Sequence, residues 1–174
     1  YEDLLDDPRA SITYNTDRAQ RIAIRVDAIG FDGRYLTDQS SEICRANLTE
    51  KLLVPLLAKL SNFVPGGGFW MNTQRPEWND ANNALVGKGL SVVTAAYLRR
   101  FIAFWQTQLT SAESTTFRVS VTVADLFEVV QAILASSQSH LESGFSDEER
   151  RAVMDALGAA ATAYRSSIYK EGLS

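Results

Sequence analysis

The feature that most constrains the fold is the recurrence of apolar residues at every third or fourth position beyond residue 46. Four stretches show this spacing, at about residues 47–62, 84 or 91–109, 122–143 and 146–171. Apolar residues spaced in this way line one face of an α-helix, and such a face must be buried against another element. Capping-box signatures mark two of the helix starts, Asn47 with Glu50 and Ser146 with Glu149. The sequence therefore predicts an all-α fold of antiparallel helical hairpins.

Residues 1–46 lack the helical spacing. Turn signals lie at residues 6–8 and 30–33. Between them, Ile22 to Ile29 alternates apolar and polar residues, which predicts a short strand or an extended arm, with a two-turn helix as the alternative. We therefore expect one helical domain over the whole chain, with an irregular or short-strand arm at 1–46 and helical hairpins at 47–174.

Composition narrows the classes of function. The 174 residues are 45% hydrophobic and 22% charged, and the formal net charge of −4 comes without a basic stripe. Nucleic-acid binding, which needs lysines and arginines to neutralise phosphates, is therefore not expected. Cys44 is the only cysteine and His140 the only histidine, so we predict neither a disulfide nor a metal site. Gly87-Lys88-Gly89 lacks the flanking residues of a phosphate-binding loop, and we predict no cofactor.

The sequence also bears on location. It contains no apolar run long enough to span a bilayer. Its first eight residues are acidic where a signal peptide needs a basic segment, so we predict a cytoplasmic protein without membrane insertion. The chain does not begin with methionine, and we expect it to be a segment of a larger polypeptide.

One stretch, Gly66 to Asn83, departs from the helical pattern. It brings together aromatic rings, side-chain amides, two carboxylates and an arginine: Trp70, Arg75, Glu77, Trp78, Asn79, Asp80, Asn82 and Asn83. Sugars are bound by this mixture, because ring faces cover apolar C–H patches, amides and carboxylates bind hydroxyls, and a carboxyl group transfers a proton. We expect the glycines of 66–68 to let the stretch move toward a ligand.

Glu77 and Asp80 are the candidate proton donors. Side chains three apart on a helical turn point the same way, with Cβ atoms about 5–6 Å apart, whereas the acid and base of an inverting glycosidase lie about 6.5–9.5 Å apart. We therefore expect one of the two to be the acid and the second functional carboxylate to lie elsewhere. Structural roles stay open: Asp80 as a helix N-cap, the tryptophans as rings that close a loop, and the asparagines as turn formers.

The segment Glu77-Trp78-Asn79-Asp80-Ala81-Asn82-Asn83 resembles the Asp-Trp-Asn-Asp-Gly-Met-Asn segment of the inverting disaccharide phosphorylases of the cellobiose phosphorylase type. Those enzymes belong to the six-hairpin glycosidases, which fold as (α/α)6 toroids. The resemblance implies that Asp80 is the general acid and that Trp78 and Asn79 shape the sugar subsite. This sequence differs at Glu77, Ala81 and Asn82, and the phosphate-binding histidine of the family has no identifiable counterpart, so the acceptor stays open between water and phosphate.

Two functions follow as expectations. In the first, the chain is part of, or similar to, an (α/α) toroid and acts on an oligosaccharide or glycoside, with Asp80 or Glu77 as the acid and Trp70, Arg75 and the asparagines as ligands of the sugar. In the second, it is a non-catalytic helical module that binds a glycan or a protein through residues 66–83 and its helix faces. A complete toroid needs a dozen helices, and this chain has room for four or five. The rest of a larger polypeptide is thus an expected partner.

Overall fold

A computed structural model of the chain describes residues 14–38, 40–71, 84–113 and 116–171. The helices are α1 (Thr16–Ile29), α2 (Leu48–Leu60), α3 (Val92–Ser111), α4 (Val121–Ser136), α5 (His140–Ser143) and α6 (Asp147–Glu171). A 3₁₀-helix, Gly30–Arg34, follows α1, and three short strands, β1 (Phe63–Val64), β2 (Gly68–Trp70) and β3 (Leu90–Ser91), form one antiparallel sheet. The prediction of a mainly helical fold is confirmed. The sheet was not predicted, because strands of two or three residues are too short to reveal a period of two.

The irregular or short-strand arm predicted for residues 1–46 is wrong for Thr16–Ile29, which form helix α1. The Asn15 side chain caps this helix by accepting a hydrogen bond from the backbone N–H of Arg18 at 2.9 Å. Ile22 and Val26 are partly buried, whereas Ile24 is 61% exposed. Of the two alternatives for Ile22 to Ile29, the helix is therefore the correct one, and Ile24 lies on its solvent side.

Helices α2 and α4 run parallel to each other. Their first turns are hydrogen-bonded, since Ser120 at the start of α4 donates to Glu50 in α2. Their C-terminal ends also lie together, because Leu60 and Leu134 line the same apolar hollow. Helix α3 points the other way, with Leu109 near its C-terminus beside Thr49 in the first turn of α2.

Helix α6 is antiparallel to both α2 and α4. Near its N-terminus, Arg150 donates a hydrogen bond to the carbonyl of Pro65, which follows the C-terminal end of α2. Farther along, Tyr164 shares a surface groove with Ser120 at the start of α4. The order α2, α3, α4, α6 thus alternates in direction along the chain.

The main core lies where α2, α4 and α6 meet. Leu157 is fully buried, and the cluster around it combines one leucine of α2 with valines and leucines of α4 and α6. Its buried members are Leu57, Val123, Leu126, Val130, Val153 and Leu157. These are stripe positions of the helical pattern, so sequence periodicity identifies the side of each helix that faces inward.

Helix α3 differs from the sequence-based expectation of a helix buried between neighbours. It starts at the second of the two predicted positions, where the hydroxyl of Ser91 accepts a hydrogen bond from the N–H of Thr94 at 3.1 Å. None of its residues is buried. Val93 and Tyr97 are each 65% exposed and Phe104 is 57% exposed. The described part of the chain therefore covers only one side of an apolar helix.

The glycines of residues 66–68 form the tight connection between β1 and β2. The N–H of Gly67 donates to the carbonyl of Val64 at 3.0 Å, with Pro65 and Gly66 between them and Gly66 at φ 71°. Proline followed by a residue of positive φ is the signature of a type II turn. Gly68 has φ 133°, and a Cβ on it would lie 2.8 Å from the carbonyl oxygen of Ser91. The expectation that these glycines let the stretch move toward a ligand is therefore wrong, since they serve a packed hairpin.

The Asn47–Glu50 capping box is only half formed, and this creates the link between α2 and α4. The Asn47 side chain accepts a hydrogen bond from the N–H of Glu50, as predicted. The Glu50 carboxylate does not return to Asn47. It accepts from both the N–H and the hydroxyl of Ser120, at 2.9 and 2.7 Å. By contrast, Ser146 and Glu149 form the complete reciprocal box at the start of α6.

Replacing Glu50 by alanine should lower the free energy of unfolding by about 1–2 kcal/mol, because two hydrogen bonds to a charged acceptor are lost at once. Urea denaturation of the Glu50→Ala, Ser120→Ala and double variants measures the coupling. The exposed Glu148, in the first turn of α6, provides the matched control, and its change to alanine should cost about 0.5 kcal/mol or less. Additive effects of Glu50→Ala and Ser120→Ala would contradict the link.

Candidate functional site

The sheet holds together the two ends of the stretch that the sequence marks as functional. The N–H of Met71 donates to the carbonyl of Gly89 at 3.3 Å, and the N–H of Gly87 donates to the carbonyl of Met71 at 2.9 Å. Met71 and Val86 are 5% and 4% exposed, so both flanks are anchored in the interior. Backbone hydrogen bonds thus hold Met71 next to Gly87 and Gly89. We call this hydrogen-bonded pair of flanks the base of segment 72–86.

The register of the sheet separates Phe69 from Trp70. Phe69 pairs with Phe63 and Ser91, and Trp70 pairs with Leu90. Directly paired residues share a face of a sheet and consecutive residues lie on opposite faces. Phe69, 1% exposed, packs its ring 5.4 Å from that of Phe63, whereas Trp70 is only partly buried. Trp70 therefore lies on the other face of the sheet, directly before Met71 and the base of segment 72–86.

Among the predicted site residues, Trp70 is the one that lies in the described part of the chain. The two candidate acids and the remaining candidate sugar ligands lie outside the described residues: Glu77, Asp80, Arg75, Trp78, Asn79, Asn82 and Asn83. What the structure adds is the base to which both ends of their segment are attached.

Lys59 is a charged residue near this base that the sequence did not single out. It lies in the last turn of α2, partly buried, with its ammonium 5.9 Å from the centre of the Phe69 ring. Burial lowers the pKa of Lys59 below its ordinary value, because the charged form loses contact with water. The sequence carried one signal of this, a single lysine at the end of the apolar run of α2. A partly desolvated cation thus lies against the face of the sheet that carries Phe69.

The lowered pKa predicts that Lys59 reduces the free energy of unfolding by an amount that depends on pH. The folded state binds this proton less tightly than the unfolded state, so the cost is present at neutral pH and declines as the pH rises through the folded-state pKa toward the ordinary value. Lys59→Met should therefore raise the free energy of unfolding at pH 7, and its advantage over the wild type should shrink by pH 10. Lys51→Met, at an exposed position of the same helix, should show no such trend. A less stable Lys59→Met protein at pH 7 would contradict this account.

His140 lies at the joint between α5 and α6. Its Nδ1 is 3.2 Å from Oε1 of Glu149, and its ring centre is 5.3 Å from that of Phe145. Hydrogen bonds from the backbone and side chain of Ser146 lower the pKa of Glu149, with a smaller contribution from the charge of His140. The histidine therefore reinforces the capping box of α6, a structural role.

Two negative findings apply to the described ranges. They contain no group of three or more histidine, cysteine, aspartate or glutamate side chains placed to hold a metal ion. The helices found there are also too short or too polar to cross a membrane.

Comparison with known proteins gives no assignment. No protein-family model matches the chain, and a search of curated proteins found no match.

Proposed function

We propose that this chain is a carbohydrate-active protein, of the glycoside hydrolase or phosphorylase type, that acts on a glycosidic bond by general acid catalysis. Asp80 is the proposed proton donor and Glu77 the second candidate. The observation that carries the proposal is the composition of residues 70–83, in which indole rings, amides and carboxylates occur together. The hydrogen-bonded base at Met71 supports it, since sites supported on regular elements are positioned more accurately than sites on free loops.

The chemistry assigns a role to each residue type. A donor to the glycosidic oxygen must be protonated at the working pH, and an apolar surrounding raises the pKa of a carboxyl group toward that range. Trp70 and Trp78 offer ring faces to the sugar, while Arg75 and the asparagines bind hydroxyl groups. The acceptor is water or phosphate.

We also propose that the helices are part of an (α/α) toroid. Two features support this: α2, α3, α4 and α6 alternate in direction, and α3 leaves large apolar side chains exposed. Such side chains would be covered by further hairpins of a larger polypeptide, the partner expected from the sequence.

The test of the catalytic proposal is Asp80→Asn, compared with Glu77→Gln and with Asp27→Asn at an exposed position of α1. Loss of a general acid should lower kcat by about 10²- to 10⁴-fold on glycosides with alkyl leaving groups. The loss should be much smaller on dinitrophenyl glycosides, whose leaving group needs no proton. Release of sugar from a panel of both substrate types is the measurement.

The pattern across variants distinguishes the two candidates. Glu77→Gln should have a small effect on both substrate types if Asp80 is the donor, and Asp27→Asn should match the wild type. Unchanged turnover of Asp80→Asn on every glycoside that the wild type cleaves would remove Asp80 from the mechanism. If tryptophan fluorescence shows that the wild type binds saccharides but no sugar is released, the glycan-binding module is favoured instead.

A further inference from the structure

A second candidate site lies away from the base of segment 72–86, toward the first turn of α2 and the C-terminal half of α3. Residues of α2, α3 and α4 line an open cavity there of about 900 Å³, which we call the α2–α3–α4 cleft. Its apolar walls include Leu53 and Leu56 of α2, Trp105 and Leu109 of α3, and Phe127 of α4. Contiguous apolar surface of this kind on a folded protein marks an interaction site.

The length of the cleft matches two turns of a helix. On α3 the cleft is lined by Ile102, Trp105 and Leu109, at positions i, i+3 and i+7, which span about 10 Å or two helical turns. Leu53 and Leu56 on α2 lie three apart along the facing wall. A groove of this length between two antiparallel helices accommodates a two-turn apolar stripe of a third helix.

Charge defines the occupant further. Among the described residues that line the cleft, Glu128 is the one charged side chain, and it is exposed on α4. The polar residues beside the apolar walls, such as Gln106 and Thr110, are neutral. A ligand that fills the cleft is stabilised by a lysine or arginine next to its apolar stripe, and an acidic ligand is repelled.

We propose that the α2–α3–α4 cleft binds an amphipathic helix of a protein partner, with apolar side chains at i, i+3 or i+4 and i+7 and a basic residue beside them. This inference stands independently of the proposed catalytic role, because none of its residues belongs to segment 72–86 or its base. Trp105 is the central anchor, since large aromatic side chains contribute most to such interfaces.

A second copy of this chain fits the cleft less well. The exposed stripe of α3 combines apolar side chains with one arginine, but Arg100 occupies the i+7 position counted from Val93, where the ligand needs an apolar residue; its members are Val93, Tyr97, Arg100 and Phe104. The stripe also lies on the side of α3 away from the cleft, so copies joined in this way would make a head-to-tail contact, whereas most homo-oligomers use a self-complementary two-fold interface. We therefore assign the cleft to a different chain.

The experiment uses the full chain and three fluorescein-labelled peptides of alanine-rich helical sequence, followed by fluorescence anisotropy. The first carries leucines at i, i+3 and i+7 with flanking lysines, the second has glutamates in place of the lysines, and the third has serines in place of the leucines. The lysine peptide should bind at least 10-fold more tightly than either of the others. Equal binding of the lysine and glutamate peptides would overturn the proposal.

Three variants locate the binding. Ile102→Asp, in the cleft, should lower the affinity for the lysine peptide at least 10-fold. Phe104→Asp, on the opposite side of α3, should leave this affinity unchanged. Neither side chain belongs to the buried core, since Ile102 is 44% and Phe104 57% exposed, so both variants should keep the fold. Glu128→Lys should reverse the preference between the two charged peptides, and equal losses from Ile102→Asp and Phe104→Asp would contradict the cleft as the site.

Two further outcomes would assign the cleft to another occupant and overturn the proposal. The first is concentration-dependent self-association in sedimentation analysis that Ile102→Asp abolishes, which would indicate a second copy. The second is tighter binding of the lysine peptide after deletion of residues 1–13, which would indicate that this segment of the chain occupies the cleft.

Discussion

The link between the first turns of α2 and α4 is the interaction on which the arrangement of this protein depends. A carboxylate in one helix accepts two hydrogen bonds from Ser120, the residue that begins the other, and the Asn47 side chain adds a third by donating to the carbonyl of Arg118. Because the two helices are parallel and hydrogen-bonded at their N-terminal ends, their C-terminal ends also lie close together. The ends of α2 and α4 then define one apolar hollow with Phe63 of the sheet, and α6 closes the core by returning between them.

This arrangement separates the two regions for which functions are proposed. The end of α2 leads directly into the sheet that forms the base of segment 72–86, and Lys59 lies at that junction. The starts of α2 and α4 and the C-terminal half of α3 enclose the apolar cleft. Ser91 connects the two regions, since it ends β3 and caps α3.

The sequence predicted what depends on local chemistry. Apolar spacing placed Val123, Leu126 and Leu157 on inward faces, and the Ser146–Glu149 box was found as predicted. Prediction from the sequence failed where a residue distant in sequence determines which hydrogen bond a side chain makes. Ser120 draws the Glu50 carboxylate away from its own helix start.

The remaining errors have similar causes. Ile22 to Ile29 alternates like a strand, but a capping asparagine and the packing of Val26 favour a helix. The helix predicted to run from residue 122 to Ser143 ends at Ser136 and is followed by the separate α5. For the candidate site, composition alone marked residues 70–83. The hydrogen-bonded base and the partly desolvated Lys59 depend on three-dimensional packing, so sequence patterns could not reveal them.

The proposed function requires that residues 72–83 bind a saccharide and that the flanks of this segment are held in place. Amide hydrogen exchange, measured by NMR on the full chain with and without a panel of disaccharides, tests it most directly. Slow exchange is expected at Met71 and Gly87 in the free chain, and added protection within 72–83 and at Trp70 when a disaccharide binds. Rapid exchange at Met71 and Gly87, or saccharide-induced protection confined to other parts of the chain, would contradict it.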